Sequence, residues 1–102
     1  MSRDVYVEFE VHDLAIMRDT LREMNLSFTE QGNTLSIKRK YHNIRINGDT
    51  NQINYDEENL SEVNKIKVNY VRNWYKDCAI KEGMQLREEV NEKGEIELHV
   101  YQ

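Results

Sequence analysis

Several features that often identify a protein class are missing from this sequence of 102 residues. It has no proline and a single cysteine, which excludes a disulfide within the chain and a cysteine-rich metal site. Its longest apolar runs are only a few residues, so we expect no membrane-spanning segment. The first residues, Met-Ser-Arg-Asp, lead directly into a strand pattern, which predicts no signal peptide and a cytoplasmic protein.

What is present is typical of a small packed domain. Charged residues make up 32% of the chain and hydrophobic residues 38%, and the apolar residues recur at regular spacing. The length predicts a single α+β domain over residues 1–102. The net charge of −5 disfavours nonspecific binding to nucleic-acid phosphates. The sign of the charge alternates, with basic segments at residues 31–47 and 63–83 between acidic ones.

The first half of the chain predicts strands around one short helix. Residues 5–11 alternate between apolar and polar, as in a half-buried strand. Asp13 fits the N-cap of a helix that ends near Asn25. Four more strands are predicted around Leu26 and Phe28, Leu35 and Ile37, Ile44 and Ile46, and Ile53 and Tyr55. The sequence Asn47-Gly48-Asp49 is a hairpin signal, because both central positions tolerate positive φ.

The second half predicts a long helix and a final hairpin. Ser61 is the expected N-cap, and Gly83 is the expected glycine after the last turn. Two strands, around Leu86 to Val90 and Glu95 to Tyr101, flank a turn at residues 91–94. The whole order is βαββββαββ, which predicts an α+β fold with a mainly antiparallel sheet and two helices packed on one face.

The long helix has an apolar stripe wider than one sheet requires. Its main apolar positions span roughly 140° at about 100° per residue, whereas a helix on one sheet needs a stripe of only about 100° or more. The main stripe is Val63, Ile66, Tyr70, Val71, Trp74 and Cys78. We expect Tyr70 and Trp74 to pack on the sheet against Val7, Phe9, Ile96 and Leu98. Val68, Tyr75 and Ala79 widen the stripe, and either the same chain or a second surface covers them.

The same helix carries a basic ridge. Lys65, Arg72 and Lys76 fall within about 100° of each other around the helix. One interpretation is a solvated outer face. The other is recognition of an acidic partner or a phosphorylated ligand, because arginine can bind such groups with two parallel hydrogen bonds. The basic segment Lys38 to Arg45 is a further candidate for such a ligand site.

The element order, and the C-terminal half above all, resembles the uncharacterised chloroplast and cyanobacterial open-reading-frame family known as hypothetical chloroplast protein thirty-five. The similar positions are the hairpin Ile44 to Tyr55, Tyr70 inside the long helix, Gly83-Met84, and the final hairpin from Asn91 to Val100. These motifs are structural and carry no chemistry. The resemblance implies a small soluble protein, and some bacterial relatives are encoded beside AAA-type ATPases. The richness in Asn, Ile and Lys fits an AT-rich bacterial or phage genome.

Residues that carry catalysis or bind metals lack a supporting pattern. The three histidines and the cysteine show no metal-ligand spacing, so we predict no bound metal, no cofactor and no catalytic residue. His12 and His42 are weak candidates for a general base, which needs a nearby nucleophile and pocket. His99 should face solvent beside Glu97. Cys78 lies on the apolar stripe, which predicts a buried core thiol.

These observations lead to three functional hypotheses. The first is a non-enzymatic binding or adaptor module that presents the long helix and a sheet edge to a protein partner or a second copy. In this hypothesis Val68, Tyr75 and Ala79 lose their solvent exposure only when a second chain is present. The second is a phage or bacterial ligand-binding protein that sequesters a small anionic nucleotide through Lys65, Arg72 and Lys76. The third is an uncharacterised enzyme that uses His12 or His42.

Overall fold

The computed structural model describes residues 4–11 and 13–101, with the backbone alone at residues 4–8, 86, 96, 98 and 100. It has an α+β fold in the predicted order βαββββαββ, with one extra 3-10 helix. The elements are β1 (Asp4–Glu8), α1 (Leu14–Glu23), β2 (Thr29–Gln31), β3 (Thr34–Ile37), β4 (Ile44–Asn47), β5 (Gln52–Asp56), the 3-10 helix (Glu57–Asn59), α2 (Leu60–Lys81), β6 (Gln85–Val90) and β7 (Ile96–Tyr101). The chain divides into two compact units, Met1–Tyr70 and Val71–Gln102.

The first unit is built on a five-stranded antiparallel sheet with the strand order β1-β5-β4-β3-β2. Leu35 is opposite Ile46, and Ile46 is opposite Ile53, so these three residues form a row across the sheet. All three have no solvent exposure. Alternate residues on a strand point to opposite faces, and this row therefore marks the buried face of the sheet.

Both helices contribute to the core of the first unit, as the sequence predicts. From α1, Met17 and Leu21 have no exposure, and they lie four residues apart on one helix face. From α2, Val63, Ile66 and Tyr70 are at most 1% exposed. Asp13 begins α1 as predicted, since its Oδ1 accepts hydrogen bonds from the backbone N–H groups of residues 15 and 16 at 2.8 and 3.3 Å.

The start of the long helix differs from the prediction. Ser61 lies inside α2, and the chain enters this helix through the 3-10 helix Glu57–Asn59. Asp56 is the N-cap of that 3-10 helix, and its Oδ2 accepts a hydrogen bond from the N–H of Glu58 at 3.0 Å. Asp56 has no solvent exposure, so a buried carboxylate caps the 3-10 helix that precedes α2, and the predicted N-cap Ser61 lies inside α2.

The hairpin between β4 and β5 is present, but its turn is not the predicted two-residue type. Four residues, 48–51, connect the strands, and Asn51 has the positive φ of 54°. The Oδ1 atom of Asn47 accepts hydrogen bonds from the N–H groups of Asp49 and Thr50 at 2.9 and 3.1 Å. The asparagine side chain thus replaces part of the backbone pairing of a tight turn.

The second unit consists of the C-terminal part of α2 and a separate two-stranded sheet of β6 and β7. The sequence suggested one sheet, whereas the structure distributes the strands over two. Gly83 ends the helix as predicted, with φ of +72° and with the next N–H, of Met84, bonded to the carbonyl of Ala79 at 2.7 Å. Among the described residues, neither helix combines the length and apolar character that a membrane crossing requires.

Candidate partner-binding surface

The widened apolar stripe of α2 is partly covered by the chain itself. Ala79 is only 4% exposed, so the expectation that it becomes buried only against a second chain is wrong. Val68, in the first unit, is 50% exposed, and Tyr75, in the second unit, is 44% exposed. Of the three residues, two therefore remain open to solvent as the partner hypothesis requires.

The second unit exposes more apolar surface than the sequence analysis predicted. Ile80 is 77% exposed and follows Tyr75 on the last turns of α2. Beside it is a shallow pocket of about 270 Å³ lined by Lys76, Ala79, Ile80 and Met84. We call Tyr75, Ile80 and this pocket the α2 apolar surface.

The basic ridge of α2 is partly neutralised by an acidic side chain. Arg72 donates two hydrogen bonds to the carboxylate of Glu88 on β6, at 2.7 and 2.5 Å. Lys76 Nζ lies 2.9 Å from the same carboxylate. Lys65, which belongs to the first unit, is exposed. The ridge is therefore divided, because two of its three cations already bind Glu88.

Glu88 was missed in the sequence analysis although a signal for it existed. It lies two residues from Leu86 and two from Val90, so its sequence position places it on the face of β6 that carries these apolar residues. Hydrogen bonds from Arg72 and then Lys76 lower the pKa of the Glu88 carboxyl from 4.5 to about 2. A carboxylate among apolar positions and opposite a basic helix is best explained as an ion-pair partner of that helix.

We expect Glu88→Gln to destabilise the second unit by about 1 kcal/mol near pH 7, because it removes an ion pair with two-pronged geometry. The folded pKa is depressed, so this contribution is present above the ordinary carboxyl pKa and is lost as the pH falls from about 4.5 towards 2. Trp74 is the only tryptophan and lies in this unit, so its fluorescence can follow denaturant unfolding. The difference in free energy of unfolding between wild type and Glu88→Gln should become smaller in acid.

The control for this experiment is Glu92→Gln, since Glu92 is exposed in the turn between β6 and β7. It should change stability little at either pH. A difference between Glu88→Gln and wild type that stays constant from neutral to acidic pH would contradict the assigned ion pairs.

A second charged group lies on the outer side of the β6–β7 hairpin. His99 Nε2 is 3.4 Å from Glu97 and 3.5 Å from Glu89. His99 is exposed beside Glu97, as predicted. These three side chains offer one nitrogen and two carboxylate oxygens within 4.8 Å of one another. Among the described residues this is the group whose donor atoms could hold a metal, and its exposure fits ion pairing equally well.

Two more predictions concern α2: the packing of Trp74 falls partly outside the described side chains, and Cys78 differs from its prediction. Trp74 is half-buried and packs edge-to-face on Tyr75 with ring centroids 5.1 Å apart. Its expected neighbours Val7, Ile96 and Leu98 have side chains outside the described ones, and they belong to two different sheets. Cys78 is a free, half-buried thiol and not the fully buried one that we predicted.

The described part of the chain adds no support for the two candidate general bases. His42 is half-buried in the segment between β3 and β4, and His12 lies outside the described residues. The neighbouring Arg39 donates hydrogen bonds of 2.6 and 2.7 Å to the carboxylate of Glu62, which raises the pKa of this arginine. Arg39, from the basic segment Lys38 to Arg45, is thus engaged by a carboxylate in the same way as Arg72.

Comparison with known proteins gave no family model, no curated protein and no solved structure that matches this chain. The resemblance of the C-terminal half to a chloroplast and cyanobacterial family therefore stays a prediction, and the functional argument depends on the surface.

Proposed function

We propose that this chain is a small, non-catalytic, cytoplasmic protein-binding module that contacts its partner through the α2 apolar surface. The observation that carries the proposal is the exposure of large apolar side chains in the second unit: Tyr75 at 44%, Ile80 at 77%, Val90 at 70% and Tyr101 at 45%. Burying such side chains against a partner gains about 25 cal/mol for each Å² removed from water. Apolar surface rimmed by polar groups is a common mark of an interface.

The alternative of a small anionic nucleotide as ligand is less well supported by the charges. A phosphate at Arg72 or Lys76 must displace the carboxylate of Glu88, which already takes two hydrogen bonds from the arginine and one ion pair from the lysine. Lys65 alone supplies a single flexible cation. The balance of charge therefore favours the protein-binding hypothesis over nucleotide sequestration.

We expect Tyr75→Glu to abolish partner binding while the chain stays folded, because Tyr75 is half-exposed and a charge there opposes burial of the surrounding apolar surface. The matched control is Tyr41→Glu, since Tyr41 is a tyrosine of similar exposure, 47%, in the first unit. Circular dichroism confirms folding of both variants. Quantitative affinity capture from the native host and light scattering then compare their association with that of wild type.

The proposal predicts that at least one association of the wild type, with a host protein or with itself, survives Tyr41→Glu and is lost with Tyr75→Glu. If the two folded variants behave alike in both measurements, the α2 apolar surface is not the binding surface.

A further inference from the structure

The outer face of the β6–β7 hairpin arranges like charges opposite each other. Arg87 on β6 is opposite His99 on β7, and Glu89 is opposite Glu97. One cross-strand row is thus basic when the histidine is protonated, and the other is acidic. Like charges directly opposite each other destabilise a strand pair. Within the hairpin these charges are partly neutralised along each strand, by Arg87 to Glu89 at 3.0 Å and His99 to Glu97 at 3.4 Å, and by the diagonal contact of His99 with Glu89 at 3.5 Å.

Among the described strands, this hairpin pairs with no other strand. In the described sheets, β7 has one neighbour, β6, and the two strands form a sheet of their own. An isolated sheet of two strands is marginally stable; here α2 supports the hairpin through Glu88, and a third or fourth strand would add further stability. An unpaired edge also presents free backbone donors and acceptors to another strand.

We propose that β7 pairs antiparallel with β7 of a second copy of this chain, in a register centred on Leu98, to form a four-stranded sheet β6-β7-β7-β6. This names the partner for the protein-binding function proposed above, and it adds the strand edge as a contact. A two-fold axis normal to the sheet passes through one residue of the strand. With the axis at Leu98, Glu97 lies opposite His99 of the second copy, and Ile96 lies opposite Val100.

In this register, each row of like charge in one hairpin continues into a row of opposite charge in the other. The basic row of one hairpin, Arg87 and His99, continues into the acidic row of the other, Glu97 and Glu89 of the second copy. The two-fold axis repeats the arrangement on its other side. Each row then runs from positive to negative across four strands, and opposite-charge pairs across strands are favourable. Sign complementarity of this kind fixes register and partner choice.

Other edges and registers are less suitable. An axis at Glu97 or at His99 places two identical polar groups opposite each other. On β6 a two-fold axis at the residue paired with Leu98 falls on Glu88, and on β2 an axis at the middle residue falls on Glu30. On β1, pairing about the central residue brings Asp4 opposite Glu8 of the second copy. Among the edge strands of the described sheets, β7 alone has an apolar residue at the axis and opposite charges beside it.

Exchange of two residues tests the proposed register. His99→Glu alone places Glu opposite Glu, and Glu97→His alone places His opposite His. The double variant Glu97→His with His99→Glu has the wild-type composition and restores opposite charges. By sedimentation velocity in EDTA, at about pH 6, we expect His99→Glu to weaken dimerisation roughly tenfold or more and the double variant to recover it, since two symmetric pairs change.

Cysteine cross-linking gives a second measurement that does not depend on charge. In a Cys78→Ser background, Leu98→Cys should form a disulfide-linked dimer on mild oxidation, because Cα atoms across an antiparallel pair are about 4.5–5.5 Å apart. Ile96→Cys and Val100→Cys should not cross-link alone, since in this register like positions are about 13 Å apart. A mixture of the Ile96→Cys and Val100→Cys variants should cross-link, because residue 96 of one copy lies opposite residue 100 of the other.

The outcomes separate this inference from the proposed function. A wild-type chain that stays monomeric at high micromolar concentration overturns strand pairing, and loss of a host protein with Tyr75→Glu would still support the α2 apolar surface. A dimer that is insensitive to the charge exchange, does not cross-link at residue 98 and is lost with Tyr75→Glu also overturns strand pairing. Recovery of dimerisation in the double variant together with cross-linking at residue 98 supports strand pairing, whatever the effect of Tyr75→Glu on association.

Discussion

Tyr70→Ala is expected to lower the free energy of unfolding of the first unit by about 3–5 kcal/mol, the loss typical of a large buried aromatic side chain. Tyr70 is 1% exposed on α2, and its ring meets Phe9 edge-to-face with centroids 5.7 Å apart. Its hydroxyl oxygen also accepts a hydrogen bond of 3.1 Å from the N–H of Asp13. The substitution therefore removes core volume, an aromatic pair and a partner for the residue that caps α1.

A matched variant on the same helix distinguishes burial from helix propensity. Tyr75→Ala makes the identical chemical change at a residue that is 44% exposed, and we expect it to cost less than about 1 kcal/mol. Tyr70→Phe keeps the ring and removes only the hydroxyl, so it should lie between the two. Denaturant unfolding followed by far-ultraviolet circular dichroism measures all three. Equal losses for Tyr70→Ala and Tyr75→Ala would show that the orientation of α2 in the first unit is wrong.

The core of the first unit could be predicted from the sequence because its signals are periodic and local. Leu35 and Ile37, and likewise Ile44 and Ile46, lie two residues apart, which matches the alternation of a strand, and all four are buried. Asp13 was recognised as an N-cap because its carboxylate needs only the next two or three N–H groups. Such features depend on residues close in the chain, and the sequence contains them.

The surface of the second unit could be predicted only in part because it depends on contacts between distant residues. The periodicity of α2 identified Tyr75 and Ala79 as apolar positions beyond the main stripe, but it could not tell that Ala79 is buried and Tyr75 half-exposed. It likewise identified Arg72 and Lys76 as a ridge without showing that both meet Glu88, which lies twelve or more residues away. Ile80 fell outside the predicted stripe and was not considered.

Turn chemistry shows why the boundaries of an element are harder to predict from the sequence than the element itself. At Asn47 the residue types predicted a hairpin correctly, but the side chain of that asparagine bonds two N–H groups and lengthens the connection to four residues. Gly48 also sits close to α1, since a Cβ atom there would lie 2.9 Å from Leu14 Cδ1. The missing Cβ atom at Gly48 leaves room for this tertiary approach without a positive φ, and local propensity does not reveal such a contact.

Ile53→Ala is expected to lower the free energy of unfolding of the first unit by about 2–5 kcal/mol, because it removes buried methyl groups and leaves a cavity. Ile53 has no solvent exposure and lies in the interior strand β5, opposite Ile46 on one side and the backbone of Val7 on the other. A residue held between two strands has little room to relax, so the cost should fall in the upper part of this range.

The control is the same substitution at an exposed isoleucine. Ile80→Ala, at a residue 77% exposed near the end of α2, should change stability by less than about 0.5 kcal/mol, and the better helix propensity of alanine offsets part of any loss. The same variant removes part of the α2 apolar surface, so partner binding should weaken while stability stays near wild type. A destabilisation of more than about 2 kcal/mol by Ile80→Ala would show that this side chain is buried within the chain, and the α2 apolar surface would lose its most exposed member.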